Sequence, residues 1–317
     1  MPASPGKIRT SHARLDPVTP QVGLFRALAD RAPSTSTDSV RVVMERAGVV
    51  HEYRSASPLG PVEWRTLLVI CALAGLDGDP VATPDDSAVV GATIPEGRAS
   101  TAPSLRVRTT VYALLRELGV QDSGRTRRRL VESLKRLACI RLFLSMGSRT
   151  LSAANLLSFA VDERTGELMI GLSPQVAAPI LGEVRQYTAV SLEEVRTLSS
   201  PAAVILHAAL SARLNPGETC RYAVDTIGDL VYGVTTDAAT RRKRRGRVRA
   251  AVAELGSLPA WQTHVENGMV SVHRLRTCYP SRDAVEPVTP NRATRHRRNA
   301  AIPEAARRSH DSPHSSY

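Results

Sequence analysis

Residues Thr240–Leu255 read TRRKRRGRVRAAVAEL, and the fold turns on how the charged and apolar positions of this stretch are phased. Val248, Ala251, Val252 and Leu255 recur at helical spacing and form one core-facing stripe. Arg242, Lys243, Gly246 and Arg249 lie largely away from it. The segment therefore predicts an amphipathic helix with a basic outer face, and between Arg241 and Arg249 it holds seven basic residues and no acid.

Working outward, Val224–Tyr232 predicts a short helix with Asp225 as its N-cap, ended by Gly233 and preceded by a strand at Arg221–Val224. Downstream, Trp261–Val265 and Met269–Leu275 flank Glu266-Asn267-Gly268, a strong hairpin signal. Upstream, Ser191–Leu214 opens on a Ser-Leu-Glu-Glu capping box and is interrupted around Ser199–Pro201. The same order occurs earlier in the chain. A helix is expected at Pro61–Gly75, another at Thr109–Leu118 ended by Gly119, and a basic one from Ser123 to Ala138 with its stripe at Leu130, Leu134, Leu137 and Ala138. Arg125, Arg128, Arg129, Lys135 and Arg136 are expected on the far side of that stripe. Ile140–Met146, Leu156–Val161 and Glu167–Leu172 alternate like strands, and Pro174–Tyr187 reads as a linker.

Helix, helix, turn, basic helix and strands is the order of a winged helix, so the expected fold is α+β, mainly helical, with tandem winged-helix (helix-turn-helix plus β-wing) domains. The divisions are an N-terminal arm over 1–39, winged-helix domains over 40–185 and 186–280, and a disordered tail over 281–317, rich in Pro, Arg and Ser.

Charge supports this division. The 317 residues carry 42 Lys and Arg against 30 Asp and Glu, a formal charge of +12, with a pI near 10.3. Residues Gln121–Arg149 hold eight basic residues against Asp122 and Glu132, a net +6, and Arg241–Arg249 a net +7. The remainder is close to neutral. A helix with such a face suits a DNA major groove, where arginine makes bidentate hydrogen bonds to guanine and neighbouring charges neutralise phosphates. Only 12 residues are aromatic, which disfavours the stacking platforms of single-strand and RNA binders and points to duplex DNA.

Other classes fall away. No apolar run is long enough to span a membrane and the N-terminus lacks the apolar core of a secretory signal, so a cytoplasmic location is expected. Cys71, Cys139, Cys220 and Cys278 form no CxxC pair and have no histidine at zinc spacing; they are read as buried reduced thiols, and no metal or cofactor is expected. There is no GxxxxGK[ST] phosphate loop. His12 with Asp16 is too sparse for acid–base catalysis and reads better as part of an ordered arm packed on the first domain, or one touching DNA through Arg9 and Arg14. His273-Arg274-Leu275-Arg276 has the HxxR spacing of strand-transfer enzymes, with Tyr279 nearby, but falls on an expected wing strand. No enzymatic activity is expected.

The chain resembles the replication protein C family, iteron-binding initiators of IncQ-type plasmids. The resemblance rests on an ordered series of segments: Ser11-His12-x-Arg14-x-Asp16-Pro17, Gly23-Leu24-Phe25-Arg26-Ala27-Leu28, Pro58-Leu59-Gly60, Tyr112-x-Leu114 with Glu117-x-Gly119, Glu194-Val195-Arg196-x-Leu198, Asn215-Pro216-Gly217, Val224-Asp225-Thr226 and Arg242-Lys243-Arg244-Arg245-x-Arg247-Val248-Arg249. It implies a protein that binds directly repeated origin DNA and helps open the duplex for a separate helicase and primase, with no membrane or small-molecule substrate. The block Arg242–Arg249 would be the reading helix of the second domain and Ser123–Ala138 that of the first. Unlike the family pattern, this chain has Arg127-Arg128-Arg129 in succession in that first helix and a longer C-terminal extension.

Base contacts are expected from Arg125, Arg128, Arg129, Arg242, Lys243 and Gly246, whose missing side chain allows close approach. Phosphate contacts are expected from Lys135, Arg136, Arg249, Arg149 and His264, and Arg127, Arg244, Arg245 and Arg247 complete the candidate surface. A winged-helix transcriptional regulator is the competing reading, disfavoured by the internal duplication, because regulators usually gain their second half-site by dimerisation.

Overall fold

A computed structural model describes residues 8–20, 23–27, 39–46, 48–81 and 104–276. The expected disordered tail, with Cys278 and Tyr279, lies outside the described residues.

In chain order, β1 (His12–Leu15) is followed by a hairpin of β2 (Val40–Arg46) and β3 (Val49–Ser55), helix α1 (Pro61–Asp77), a short β4 (Asp79–Val81) and β5 (Ser104–Thr110). β5 runs directly into α2 (Val111–Glu117), and α3 (Gly124–Ala138) comes next. Two hairpins follow, β6 (Arg141–Met146) with β7 (Arg149–Asn155), then β8 (Leu157–Val161) with β9 (Glu167–Leu172). α4 (Pro174–Leu181), β10 (Thr188–Ser191) and α5 (Leu192–Thr197) lead to α6 (Pro201–Ser211), β11 (Thr219–Ala223), α7 (Val224–Tyr232), α8 (Ala238–Gly256) and a last hairpin of β12 (Trp261–Glu266) and β13 (Met269–Arg274).

The core is built on α1. Its middle is apolar on every face, so it is enclosed rather than amphipathic: Trp64, Leu67, Leu68, Ile70 and Cys71 are fully buried. Pro61 opens it at a first-turn position and the Glu63 carboxylate accepts from the Gly60 amide at 2.8 Å, covering an otherwise orphaned donor. Burial pushes the Cys71 thiol up to about 12.

The repeat expected from sequence has an atomic counterpart. A strand (β5 or β11) leads without a loop into a helix (α2 or α7), a basic helix follows (α3 or α8), and a hairpin returns so that its second strand pairs with the first strand of the unit. The joint is the same in both copies. The amide opening α2, Val111, donates to the Gly166 carbonyl in the β8–β9 turn, and the amide opening α7, Val224, donates to Gly268 in the β12–β13 turn, each at 2.9 Å. The Asn267-Gly268 turn has both residues at positive φ (50° and 77°), the geometry that matches the twist of a two-residue hairpin.

Several expectations need correction. The chain is a mixed α/β structure rather than mainly helical, with thirteen strands in four sheets among the described residues. β6 and β7 do not belong to the repeated hairpin; they are an insertion after α3 that joins β2 and β3 in a separate sheet, ordered β2-β3-β6-β7. The linker at Pro174–Tyr187 begins with α4, which uses Pro174 at its first turn and ends at Gly182 in the left-handed region (φ 75°). Asp225 does not cap α7; that N-cap is Ala223. Nor are all cysteines buried, since Cys139 is exposed and Cys220 half-buried. Among the described residues no helix is long and apolar enough to cross a membrane.

Candidate nucleic-acid interface

Both basic helices are started by side chains rather than by their own charge pattern. Ser123 caps α3, accepting from the Thr126 amide at 3.2 Å while the Thr126 hydroxyl accepts from the Ser123 amide at 2.9 Å. Asp237 caps α8, accepting from Ala239 and Thr240. Such caps are needed, because arginines crowd the first turns where the helix dipole is positive and each disfavoured cation costs about 0.3–1 kcal/mol. Arg125 in α3 and Arg242 in α8 therefore work against their helices, whereas Arg127 and Arg241 are offset by Asp122 and the Thr235 carbonyl.

In α3 the inner stripe is Leu130, Ser133, Leu134 and Leu137, all buried. Arg125, Arg128, Arg129 and Lys135 are exposed as expected, and so is Arg127. Their partners differ. Arg127 forms a two-point pair with Asp122 (2.6 and 2.7 Å), Arg128 donates to the Gly124 carbonyl at 3.2 Å, and Lys135 meets Glu132 at 2.8 Å. The hydrogen bonds from Arg127 hold the Asp122 carboxyl below its ordinary range. Arg125 and Arg129 make no side-chain hydrogen bond or ion pair among the described residues. Arg136 does not point away from the core: it is half-buried and donates to Glu63 at 2.9 Å, tying α3 to the start of α1.

α8 has the same design. Val248, Ala251, Val252 and Leu255 are buried, as its sequence requires. Arg241 donates to the Thr235 carbonyl (2.9 Å) and Arg244 to that of Gly233 (2.6 Å), with the Arg244 guanidinium also lying 5.2 Å from the Tyr232 ring centre. These two residues brace the turn between α7 and α8. Arg245 is held by Asp225 at two points, 2.7 and 2.6 Å, which lowers the Asp225 carboxyl much as Arg127 lowers Asp122. Arg242, Lys243, Arg247 and Arg249 are exposed and make no side-chain hydrogen bond or ion pair among the described residues, although Arg249 is near enough to Asp225 to help lower its carboxyl. Gly246 lies among them, and a Cβ added there would meet nothing within 4 Å. Exposed Ala250 and Ala253 continue this face.

The expected wing contacts separate. His264 is exposed on β12 but lies 3.6 Å from Glu266, whose charge offsets it toward an anion. Arg149 is exposed at the turn of the inserted β6–β7 hairpin, not of the repeated one. Arg164, exposed in the β8–β9 turn that corresponds to the Asn267-Gly268 turn, was not among the expected wing contacts. Its sequence signal was the turn Asp162–Gly166, which marked the hairpin but not a basic tip.

Arg274, from the HxxR pattern, is buried: its guanidinium donates to the carbonyls of Ser211, Leu214 and Ala189 and lies over Trp261. Its hydrogen bonds cap the end of α6. Among the described residues no cluster of His, Cys, Asp and Glu is arranged to hold a metal ion.

A family model described as Replication protein C (RepC) matches residues 7–274. No curated protein matches the chain. Among solved structures it is similar to domains 2 and 3 of RctB, in a selenomethionine crystal structure at 13% identity over 78% of this chain and 94% of that one, TM-score 0.47. A second crystal structure of RctB domains 2–3 matches at 14% identity over 81% and 96%, TM-score 0.45.

Proposed function

The chain belongs to the replication protein C family, and on that premise we propose that it is an initiator that binds directly repeated origin DNA with two winged-helix domains, residues 40–185 and 186–280. In this reading α3 and α8 are the reading helices. The observation that carries it is the outer face of α8, where Arg242, Lys243, Arg247 and Arg249 stand exposed around a glycine in open space. Four exposed cations at that spacing match what base edges and flanking phosphates offer in a major groove. Gly246 would let the helix backbone approach the groove floor.

Two such helices in one chain can occupy successive major grooves about 34 Å apart, so one monomer would cover a directed site of roughly two turns. That suits direct repeats. A transcriptional regulator that builds its site by dimerisation would not need the second copy. Opening of the duplex would follow from binding energy, through bending by many copies on adjacent repeats, and would present single strands to a separate helicase and primase.

Replacing Arg242 and Lys243 together by alanine tests the assignment. Affinity for the cognate repeat is expected to fall at least tenfold more than affinity for random duplex, each lost base contact being worth about 1–3 kcal/mol. An equal loss on both would mean that α8 touches only phosphate.

A further inference from the structure

The N-terminal arm contacts the same part of both repeats. At one end, the Glu117 carboxylate, wholly buried at the last residue of α2, accepts from the amides of Arg9 (3.0 Å) and Thr10 (3.0 Å) and from the Thr10 hydroxyl (2.8 Å). Arg196 of α5 closes the other side, donating to the Thr10 carbonyl (2.9 Å), the Thr10 hydroxyl (2.6 Å) and the Glu117 carbonyl (2.8 Å). Between these points β1 pairs antiparallel with β10 along its full length, His12 opposite Ser191 and Leu15 opposite Thr188.

At the other end, the Ala27 amide donates to the carbonyl of Val231 in the last turn of α7 at 2.8 Å. The preceding amide, Arg26, donates to Leu59 just before α1 at 2.8 Å, and Phe25 packs edge-on against Trp64 of α1 with ring centres 5.1 Å apart. The Arg26 guanidinium lies against Gly233, where an added Cβ would come within 3.1 Å of it. The arm thus grips the C-terminal end of α2 and the C-terminal end of α7. Those are equivalent positions, each one turn before a basic helix.

From this double grip we infer that the described parts of the arm, Arg9–Pro20 and Gly23–Ala27, act as a strap that fixes the separation and angle of α3 and α8 and thereby decides which spacing of half-sites the chain accepts. The inference rests on the reading of α3 and α8 as DNA-contacting helices. Thr10, Glu117, Arg196 and Ala27 act as positioning residues that need not touch DNA. A buried carboxylate satisfied by backbone amides tolerates little displacement, because a shift of the arm would strand its charge. The β1–β10 pairing anchors the arm next to the first grip.

The test uses the full chain, with Glu117→Gln at one grip and Ala27→Pro at the other, the latter removing the donor to Val231. Binding is measured on a half-site duplex, on the natural repeat, and on a repeat with five base pairs inserted between its halves. The wild type is expected to lose at least tenfold on the insertion. Each variant should bind the half-site within threefold of wild type yet lose most of the whole-site advantage and of the penalty for insertion. A variant that is folded by circular dichroism and keeps the wild-type spacing preference would overturn the strap. A DNA-free readout separates this from the parent reading: spin labels at Glu132→Cys and Ala253→Cys, with native cysteines replaced by alanine, should give one narrow distance in wild type and a broadened one in the variants. An unchanged distribution in both variants also overturns it, whatever the DNA result.

Discussion

Gly246 is where one residue says most about what the surface is for. A glycine in the interior of a nineteen-residue helix costs about 1 kcal/mol relative to alanine. Nothing in the protein asks for it, since a Cβ there would enter open space. Gly246→Ala should therefore raise the melting temperature, the gain being up to about 1 kcal/mol, while weakening binding to the cognate repeat about tenfold. A variant that is stabilised and binds normally would remove Gly246 from the interface. At this scale the sequence showed the cations but not their partners. Arg125, Arg129, Arg242, Lys243, Arg247 and Arg249 make no side-chain hydrogen bond or ion pair among the described residues, whereas Arg127 and Arg245 are held by Asp122 and Asp225, and Arg136 by Glu63. Asp122 is five residues from its arginine, Asp225 twenty and Glu63 seventy-three, so periodicity within one helix could not reveal the last two.

Elements with strong local signals were legible and those that depend on distant pairing were not. α7 spans the expected Val224–Tyr232, and the Asn-Gly hairpin and the break between α5 and α6 at Ser199–Pro201 stand where capping and turn chemistry put them. β2, β3 and β7 went unseen because their pairing is with each other and with β6, which was assigned to the repeated wing. α4 was hidden by Pro179, which breaks the helical pattern on paper but sits within the helix in the fold. The arm read as ordered, yet its partners are spread over both repeats rather than the first alone: Ala27 bonds to Val231 of α7, and Thr10 to Glu117 of α2, 107 residues away. That contact has a consequence for pH. Burial pushes the Glu117 carboxyl up, but hydrogen bonds from Thr10, Arg9 and Arg116 outweigh it and the net shift is down. A carboxyl depressed in the folded state adds stability above its unfolded value, about 4.3, and loses it as pH falls through the folded value. The wild type should melt well above Glu117→Gln at pH 7, and the gap should narrow between pH 5 and pH 3. A gap independent of pH would show that the carboxylate charge contributes nothing to the arm's attachment.

For the molecule as a whole, a net charge of +12 could mean no more than general affinity for polyanions. Its placement argues for something narrower. Two segments carry it, each forming the third element of a repeat whose first joint is the same hydrogen bond at 2.9 Å, from Val111 to Gly166 and from Val224 to Gly268. The central claim is that one chain reads DNA twice. Hydroxyl-radical footprinting of the purified protein on a duplex with one origin repeat tests it most directly, at salt concentrations across which binding should fall steeply as counterions are released. The account predicts two protected stretches about one helical turn apart on the same face of the duplex, both present at the lowest protein concentration that gives any protection. A single protected stretch, or protection that spreads evenly without regard to sequence, would contradict it.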